Sequence, residues 1–254
     1  MAGGDSSGQP SSRFGARIAW LGLSLAVLAV LAAACSGFGY QLGLWHFRVG
    51  FLILRWAFFG ALAAAALALL GLVIARFSGR ALLPGMAGIA IALGFAYVPW
   101  QWKQTVESVP YIHDITTDTD DPPQFVAAAA LRKEGDHPVT YDGPETAIQQ
   151  KEAYPDLAPL TTQAPKDKVF EAAKATLIAM GLELSDTDPP AGRIEATQKS
   201  FWYGFTDDVV VRVEATPEGT RVDVRSKSRV GRSDLGQNAK RIRTFLAKLK
   251  SAVG

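Results

Sequence analysis

Between positions 221 and 250 the chain carries ten Lys/Arg side chains against two acids, Asp223 and Asp234. Arg225, Arg229 and Arg232 lead into the start of an amphipathic helix, where free backbone N–H groups favour anions. Residues of these types could hold a phosphate, a carboxylate or a lipid head group through Arg225, Arg229, Arg232, Ser233 and the N–H groups of 233–235. A partner protein presenting such a group would serve equally. The competing reading is internal: Asp207, Asp208 and Asp234 are ion-pair candidates for those arginines, and Ser233 or Asp234 can occupy the helix cap. An aspartate at a helix start competes with any ligand anion, so both readings stand at this point.

A second cluster lies at 113–121, His-Asp-Ile-Thr-Thr-Asp-Thr-Asp-Asp. Calcium would need several oxygen ligands around a tight turn, and the glycine and terminal glutamate of an EF-hand are missing. No second histidine stands at a zinc-like interval from His113, since His137 is 24 positions on. A solvated acidic loop with Asx-turns is therefore expected rather than a metal site. The signatures G-x-S-x-G, G-x-x-x-x-G-K-[ST], H-E-x-x-H and G-x-G-x-x-G are absent from the sequence. The alternative to a binding domain is a hydrolase-like enzyme using His113 with the Asp cluster and a serine supplied by the fold. No cofactor and no metal are expected, and the apolar N-terminal half speaks against nucleic acid as a partner.

These residues must be positioned by folded elements, and the periodicity is clear from position 160 onward. Val169, Phe170, Ala173, Leu177 and Met180 fall at helical spacing, with Gly181 as the stop. Short strands follow at 182–185 and around Ile194 and Ala196. Val209, Val211 and Val213 alternate with Val210, Arg212 and Glu214. Val222 and Val224 point away from Arg221, Asp223 and Arg225. Such alternation predicts an antiparallel sheet with one buried face. The last helix shows an apolar stripe of Leu235, Ala239, Ile242, Leu246 and Leu249, and Asp234 with Gln237 forms a capping-box pattern. Helix, three or four strands and helix make a sandwich of about 90 residues.

The half before position 105 is of another kind. It holds seven Lys/Arg against the single acid Asp5, leaving 19 of the 26 basic and 23 of the 24 acidic residues for the remainder. Three apolar runs, 18–36, 51–75 and 81–99, are each long enough to cross a bilayer core as a helix. Residues 1–17 are expected to be a disordered cytoplasmic leader. Arg13, Arg17, Arg76 and Arg80 flank one side of the membrane, and Arg48, Arg55 and Lys103 the other, which favours a cytoplasmic N-terminus. Three spans then leave the C-terminal domain on the extracytoplasmic, periplasmic side of a bacterial inner (plasma) membrane, with lipid as a partner. Tyr40, Trp45, Trp56, Tyr97, Trp100 and Trp102 would form an interfacial belt. Glycines 60, 71, 85, 88 and 94 invite close helix contact. The LAAAC run at 31–35 resembles a lipoprotein signal, although two further spans make a lipid anchor at Cys35, the only cysteine, redundant.

Between the halves, 105–159 is acidic and Pro-rich, with three basic residues against eleven acidic ones. A long irregular segment either wraps the domain or leads into it. Short helices are expected at 123–132, with Asp121 as N-cap, and at 144–151. The aromatic cluster Phe201, Trp202, Tyr203 and Phe205 reads either as a cap on the core or as an exposed patch.

Four blocks carry a resemblance: IHDITTDTDDPPQF (112–125), YPDLAPL (154–160), FTDDVVVRV (205–213) and VDVRSKSRVGRSDLGQNAKRIRTFL (222–246). They resemble a bacterial and plastid family called domain of unknown function fourteen-ninety-nine. The resemblance implies that the acidic connector belongs to the domain, and that N-terminal spans or a lipoprotein signal are usual companions. It implies no reaction. The helix–strands–helix order is also similar to the small, non-catalytic binding domains of a lipoprotein component of the outer-membrane β-barrel assembly machine. The expectation is an α+β protein, three N-terminal transmembrane helices followed by a small antiparallel-sheet/two-helix sandwich over 160–254. It would display a non-catalytic domain that binds an envelope protein partner or an anionic ligand, anionic lipid included.

Overall fold

The computed structural model describes residues 9–254. It divides into two compact units, one running to Gln104 and including Phe201–Gly204, the other made of Thr105–Ser200 and Phe205–Gly254.

In the first unit, α1 (Gln9–Gln41), α2 (Phe47–Ile74) and α3 (Gly79–Ser108) are each long and apolar enough to cross a membrane. Each outruns the corresponding apolar stretch because backbone hydrogen bonding continues through polar flanks that hydropathy does not register. Residues 9–17, expected as part of a disordered leader, are instead the first turns of α1, with Ala16 buried and the Ser12 hydroxyl 2.9 Å from that of Ser78. Residues 1–8 of that expected leader lie outside the described residues. Ala19, Ala26, Ala61, Ala64, Ala68, Ala81 and Ala92 are wholly buried, while Trp20, Leu28, Leu31, Trp56 and Leu83 are more than half exposed. Small residues inside and large ones outside is the reverse of a water-soluble bundle and suits helices surrounded by lipid. Gly71, Gly85 and Gly88 sit at helix contacts, as do Gly15 and Gly22, whereas Gly60 and Gly94 have open space around their Cα atoms.

The second unit is built on one antiparallel sheet. Its strands are β1 (Asp114–Thr116), β2 (Leu160–Thr162), β3 (Glu183–Asp188), β4 (Arg193–Lys199), β5 (Thr206–Thr216) and β6 (Gly219–Ser228). They run in the order β1-β6-β5-β4-β3, with β2 also pairing β6. Of the two additional strands, β1 comes from the acidic connector and β2 follows directly after it, and they line up end to end along β6, at residues 225–227 and 220–222. Helices α6 (Lys166–Ala179) and α7 (Gln237–Val253) cover one face. Val209, Val211, Val213, Val222, Val224 and Ile194 meet Val169, Phe170, Leu177, Ile242, Phe245 and Leu249 there in a single core. Gly181, at φ +79°, lets the Leu182 N–H reach back to the Leu177 carbonyl and close α6.

Three local expectations change. The apolar stripe of α7 centres on Phe245 and starts at Ala239, because Leu235 lies in the turn before the helix at φ +55°. Asp234 caps that helix by accepting from Gly236 N at 2.9 Å and Asn238 N at 2.7 Å, one position off the capping-box register. The expected helix at 123–132 shrinks to α4 (Ala127–Ala130) and takes its cap from the sheet. There the Glu195 carboxylate accepts from the N–H groups of Val126, Ala127 and Ala128 at 2.7, 3.1 and 2.8 Å. The remaining connector helix is α5 (Pro144–Ala153).

The second face of the sheet departs furthest from the alternation pattern. It is buried rather than solvated, because residues of the 117–142 stretch lie over it. Phe125, Ala128 and Val139 pack on Val210. Glu195, Asp208, Asp223, Arg225 and Lys227, all on that face, are at most 1 % exposed.

Candidate functional site

Strand β6 puts Arg221, Asp223, Arg225 and Lys227 on the connector side at every second position, and β5 puts Asp208, Val210 and Arg212 opposite them. A charge removed from water needs a partner and saturated hydrogen bonds. The connector supplies most of these, which divides the charges of β5 and β6 into three ionic groups, beside the Arg193–Glu195 pair of β4.

The first is balanced. Arg225 donates from Nε and Nη2 to the two oxygens of Asp114 at 2.9 and 2.8 Å, and from Nη1 and Nη2 to the Pro123 and Val139 carbonyls. Its guanidinium lies 4.9 Å from the Phe125 ring centre and 5.4 Å from that of Tyr141. Lys227 Nζ donates to the Thr140 carbonyl and to Asp142 Oδ1, both at 2.6 Å, and stands 3.2 Å from Asp114. Burial and the nearby Asp114 push the Tyr141 phenol up to about 12. His113 sits at the edge of this group, with Nε2 3.5 Å from Asp142 Oδ2 and its ring stacked on His137 at 4.0 Å. Burial, then the His137 neighbour, lower its pKa against the pull of Asp142.

The second group has two acids too many. Asp118, Asp121, Glu214 and Asp223 surround Arg212 and Arg221 at 2.6 to 3.7 Å. Burial works against the Asp118 carboxylate. The N–H groups of Asp121 and Asp120 outweigh it, with Arg221 and Arg212 behind them, and hold its pKa down.

The third group has one cation too many in direct contact. Arg229 grips both oxygens of Asp208 at 3.0 and 2.8 Å and donates to the Leu131 carbonyl. Arg132 approaches the same carboxylate, Nη2 to Oδ2 at 2.9 Å, without hydrogen-bond alignment, and its buried Nε and Nη1 meet no acceptor. Burial pushes the Arg132 guanidinium down, Asp208 only partly restores it, and Arg229 adds to the fall. Asp136 contributes a further, more distant negative charge to both arginines.

The structure thus places the sequence candidates apart. Arg225 is enclosed with Asp114, and Arg229 is paired with Asp208. Arg232 is exposed over the Tyr111 ring at 5.3 Å, and the Ser233 hydroxyl accepts from Leu235 N. Of the aspartates, Asp207 pairs with Arg241 at 2.6 Å, and Asp234 caps α7 while burial raises its pKa. Sequence reasoning missed Arg132, Tyr141, Asp142 and the connector role of Asp114, since nothing periodic marks them. The one available signal was the presence of both charge signs on one side of β6.

For proton transfer, the His113–Asp142 pair is the arrangement closest to a catalytic couple. The hydroxyls of Ser226 and Ser228 are engaged by Asn238 instead. Among the described residues no group of three or more His, Cys, Asp and Glu could hold a metal ion. A groove of about 210 Å³ opens beside the layer, with Thr117, Gln150, Lys151 and Tyr154 on its walls.

The family model described as Protein of unknown function (DUF1499) matches residues 114–249, more than half of the chain. The chain belongs to this family. No curated protein matches it. The DUF1499 match opens at Asp114, the first residue of β1, and ends at Leu249 in α7. The acids, arginines and lysine of the three ionic groups and the 117–142 stretch that covers them therefore lie inside the DUF1499 region, with His113 one residue before it. The three apolar helices precede it and are compatible with membrane insertion.

Proposed function

We propose that this DUF1499 member is a multi-pass protein of the bacterial plasma membrane whose extracytoplasmic α+β domain is a non-catalytic module that binds an anionic group. The group would be free or carried by an envelope protein or lipid. One observation carries the ligand class: Arg132 and Arg229 converge on one carboxylate, and Arg132 retains buried N–H donors without acceptors. Two guanidinium groups on one aspartate favour a second anion, which would complete the charge balance and the hydrogen bonds together. This moves the expected anion site from Arg225, Arg229, Arg232 and Ser233 to Arg229 with Arg132. The hydrolase reading gives His113 a carboxylate partner but finds its candidate serines engaged elsewhere, so binding is preferred. The Arg/Lys bias of the flanks supports the orientation.

The test is thermal unfolding of the full chain in lipid nanodiscs with inorganic phosphate or acetate added. A ligand at a hundred times its Kd adds about 2.7 kcal/mol. A rise in Tm that Arg132→Gln abolishes is expected. No rise with either anion, or a rise that Arg132→Gln and Arg229→Gln leave intact, overturns the site. A C-terminal alkaline phosphatase fusion should be active, and an inactive one overturns the orientation.

A further inference from the structure

The connection between β4 and β5 contains Phe201, Trp202, Tyr203 and Gly204, and these four residues belong to the helical unit. Two of the rings are built into it. The Trp202 indole N–H donates to the Ala34 carbonyl of α1 at 2.9 Å, and its ring centre lies 5.5 Å from that of Trp102. Tyr203 is 5 % exposed, its hydroxyl 3.0 Å from Ser36 Oγ and its ring 5.1 Å from Phe51. The Gln41 amide donates to the carbonyls of Phe201 and Trp202 at 2.6 and 2.7 Å, so the loop backbone is fixed as well. Glycines make the room. A Cβ at Gly37 would overlap the Trp202 indole, and one at Gly50 would come within 3.0 Å of the Tyr203 ring.

The third ring is turned outward. Phe201 is 87 % exposed, and its ring meets the edge of the partly exposed Phe38 at 5.7 Å. Leu42 and Leu44, just after α1, are 75 % and 67 % exposed. By helical spacing Phe38 falls on the side of α1 that carries the exposed Trp20, Leu28 and Leu31. Tyr40, Trp45, Trp102 and Trp202, in the same unit, are of the ring types that favour the head-group level. A phenyl ring so exposed is unfavourable in water and favourable at the boundary of head groups and acyl chains.

The geometry points to a membrane-interface loop: Trp202 and Tyr203 lock residues 201–204 into a glycine-lined notch of α1 and α2, and Phe201 inserts into the lipid. The chain thereby enters the bilayer surface a fourth time, about 100 residues after the last span. Neither the anion site nor the orientation of the spans is needed for this.

The test uses the lone cysteine. In a Cys35→Ser background, Phe201→Cys is labelled with the environment-sensitive dye NBD in full-length protein in nanodiscs. Asp120→Cys, at an exposed carboxylate of the other unit, is the aqueous reference. Blue-shifted emission at 201, quenching by a shallow doxyl lipid and protection from aqueous iodide are expected. Emission like the reference overturns the proposal, as does a blue shift without doxyl quenching, which would mean a protein partner. Adding Gly37→Leu or Trp202→Ala should return the emission toward the reference. An unchanged signal in both refutes the locking role.

Discussion

Arg225 and Asp114 are both wholly buried and meet through two parallel hydrogen bonds of 2.9 and 2.8 Å, although 111 residues separate them in the chain. The pair joins β6 to β1, the first strand of the connector. With the Pro123 and Val139 carbonyls also on the guanidinium, one side chain holds three separate connector positions. The connector is thus a layer of the domain.

Breaking this pair should cost far more than removing it. Arg225→Ala leaves Asp114 buried with Lys227 as its remaining cation, and loss of one partner of such a pair typically costs about 3–5 kcal/mol. The double replacement Arg225→Met with Asp114→Leu keeps the volume and removes both charges, so it should recover most of that loss. Thermal unfolding of the two variants in detergent decides it. A double variant no more stable than Arg225→Ala would show that the hydrogen bonds to the carbonyls, rather than the charge pair, dominate.

Glu195 acts as a helix cap supplied from a strand. Glu195→Gln keeps the shape but puts an NH2 group opposite an N–H donor at α4, so about 1–3 kcal/mol should be lost. Amide exchange should quicken at Ala127 and Ala128 while the β4–β5 ladder stays protected. Uniform loss of protection across the sheet would contradict this local role.

Acid should act first through His113. Its folded pKa lies below the ordinary 6.5, so the unfolded chain binds a proton at pH values where the folded one does not. The stability this group contributes is complete above about 6.5 and is lost as pH falls through the lowered folded value. His113→Phe keeps a ring against His137 and cannot titrate. Wild type should therefore lose more stability than the variant between about pH 7 and pH 5. Parallel curves would assign the acid sensitivity to another group. Asp118, whose pKa is depressed from 3.8, contributes only further down, below its ordinary range.

What the sequence discloses follows from what periodicity can report. Val209, Val211 and Val213 announce a strand with two unlike faces, and the structure has that strand. Alternation does not say whether the charged face meets water. The acidic partners of Arg212, Arg225 and Arg229 lie at 114–121, 208, 214 and 223, and the first of these segments has no period to read. Only the family resemblance brought the connector into the domain. Arg132 carries no signal at all, since one Leu-Arg-Lys step after an alanine run looks like any surface turn. Three apolar runs were enough to mark the spans, but not Gly22, whose role depends on what α2 places beside it.

That glycine gives a test within the helical unit. A Cβ at Gly22 would lie 2.6 Å from the backbone nitrogen of Ala68, and backbone in a helix cannot give way as a side-chain tip can. Gly22→Leu must therefore push α1 and α2 apart and forfeit the contacts of the buried alanines along both helices. Gly60, on the same α2, has nothing within 4 Å of its would-be Cβ. Gly60→Leu should be near neutral, and its higher helix propensity in place of glycine even works in its favour. Both variants add the same leucine side chain to an apolar span, so insertion should be equal. Their thermal stability in the same detergent should differ by more than about 1 kcal/mol, the scale of a single strained core position. Equal stability would mean that the α1–α2 seam tolerates separation and that the small residues there are not what sets it.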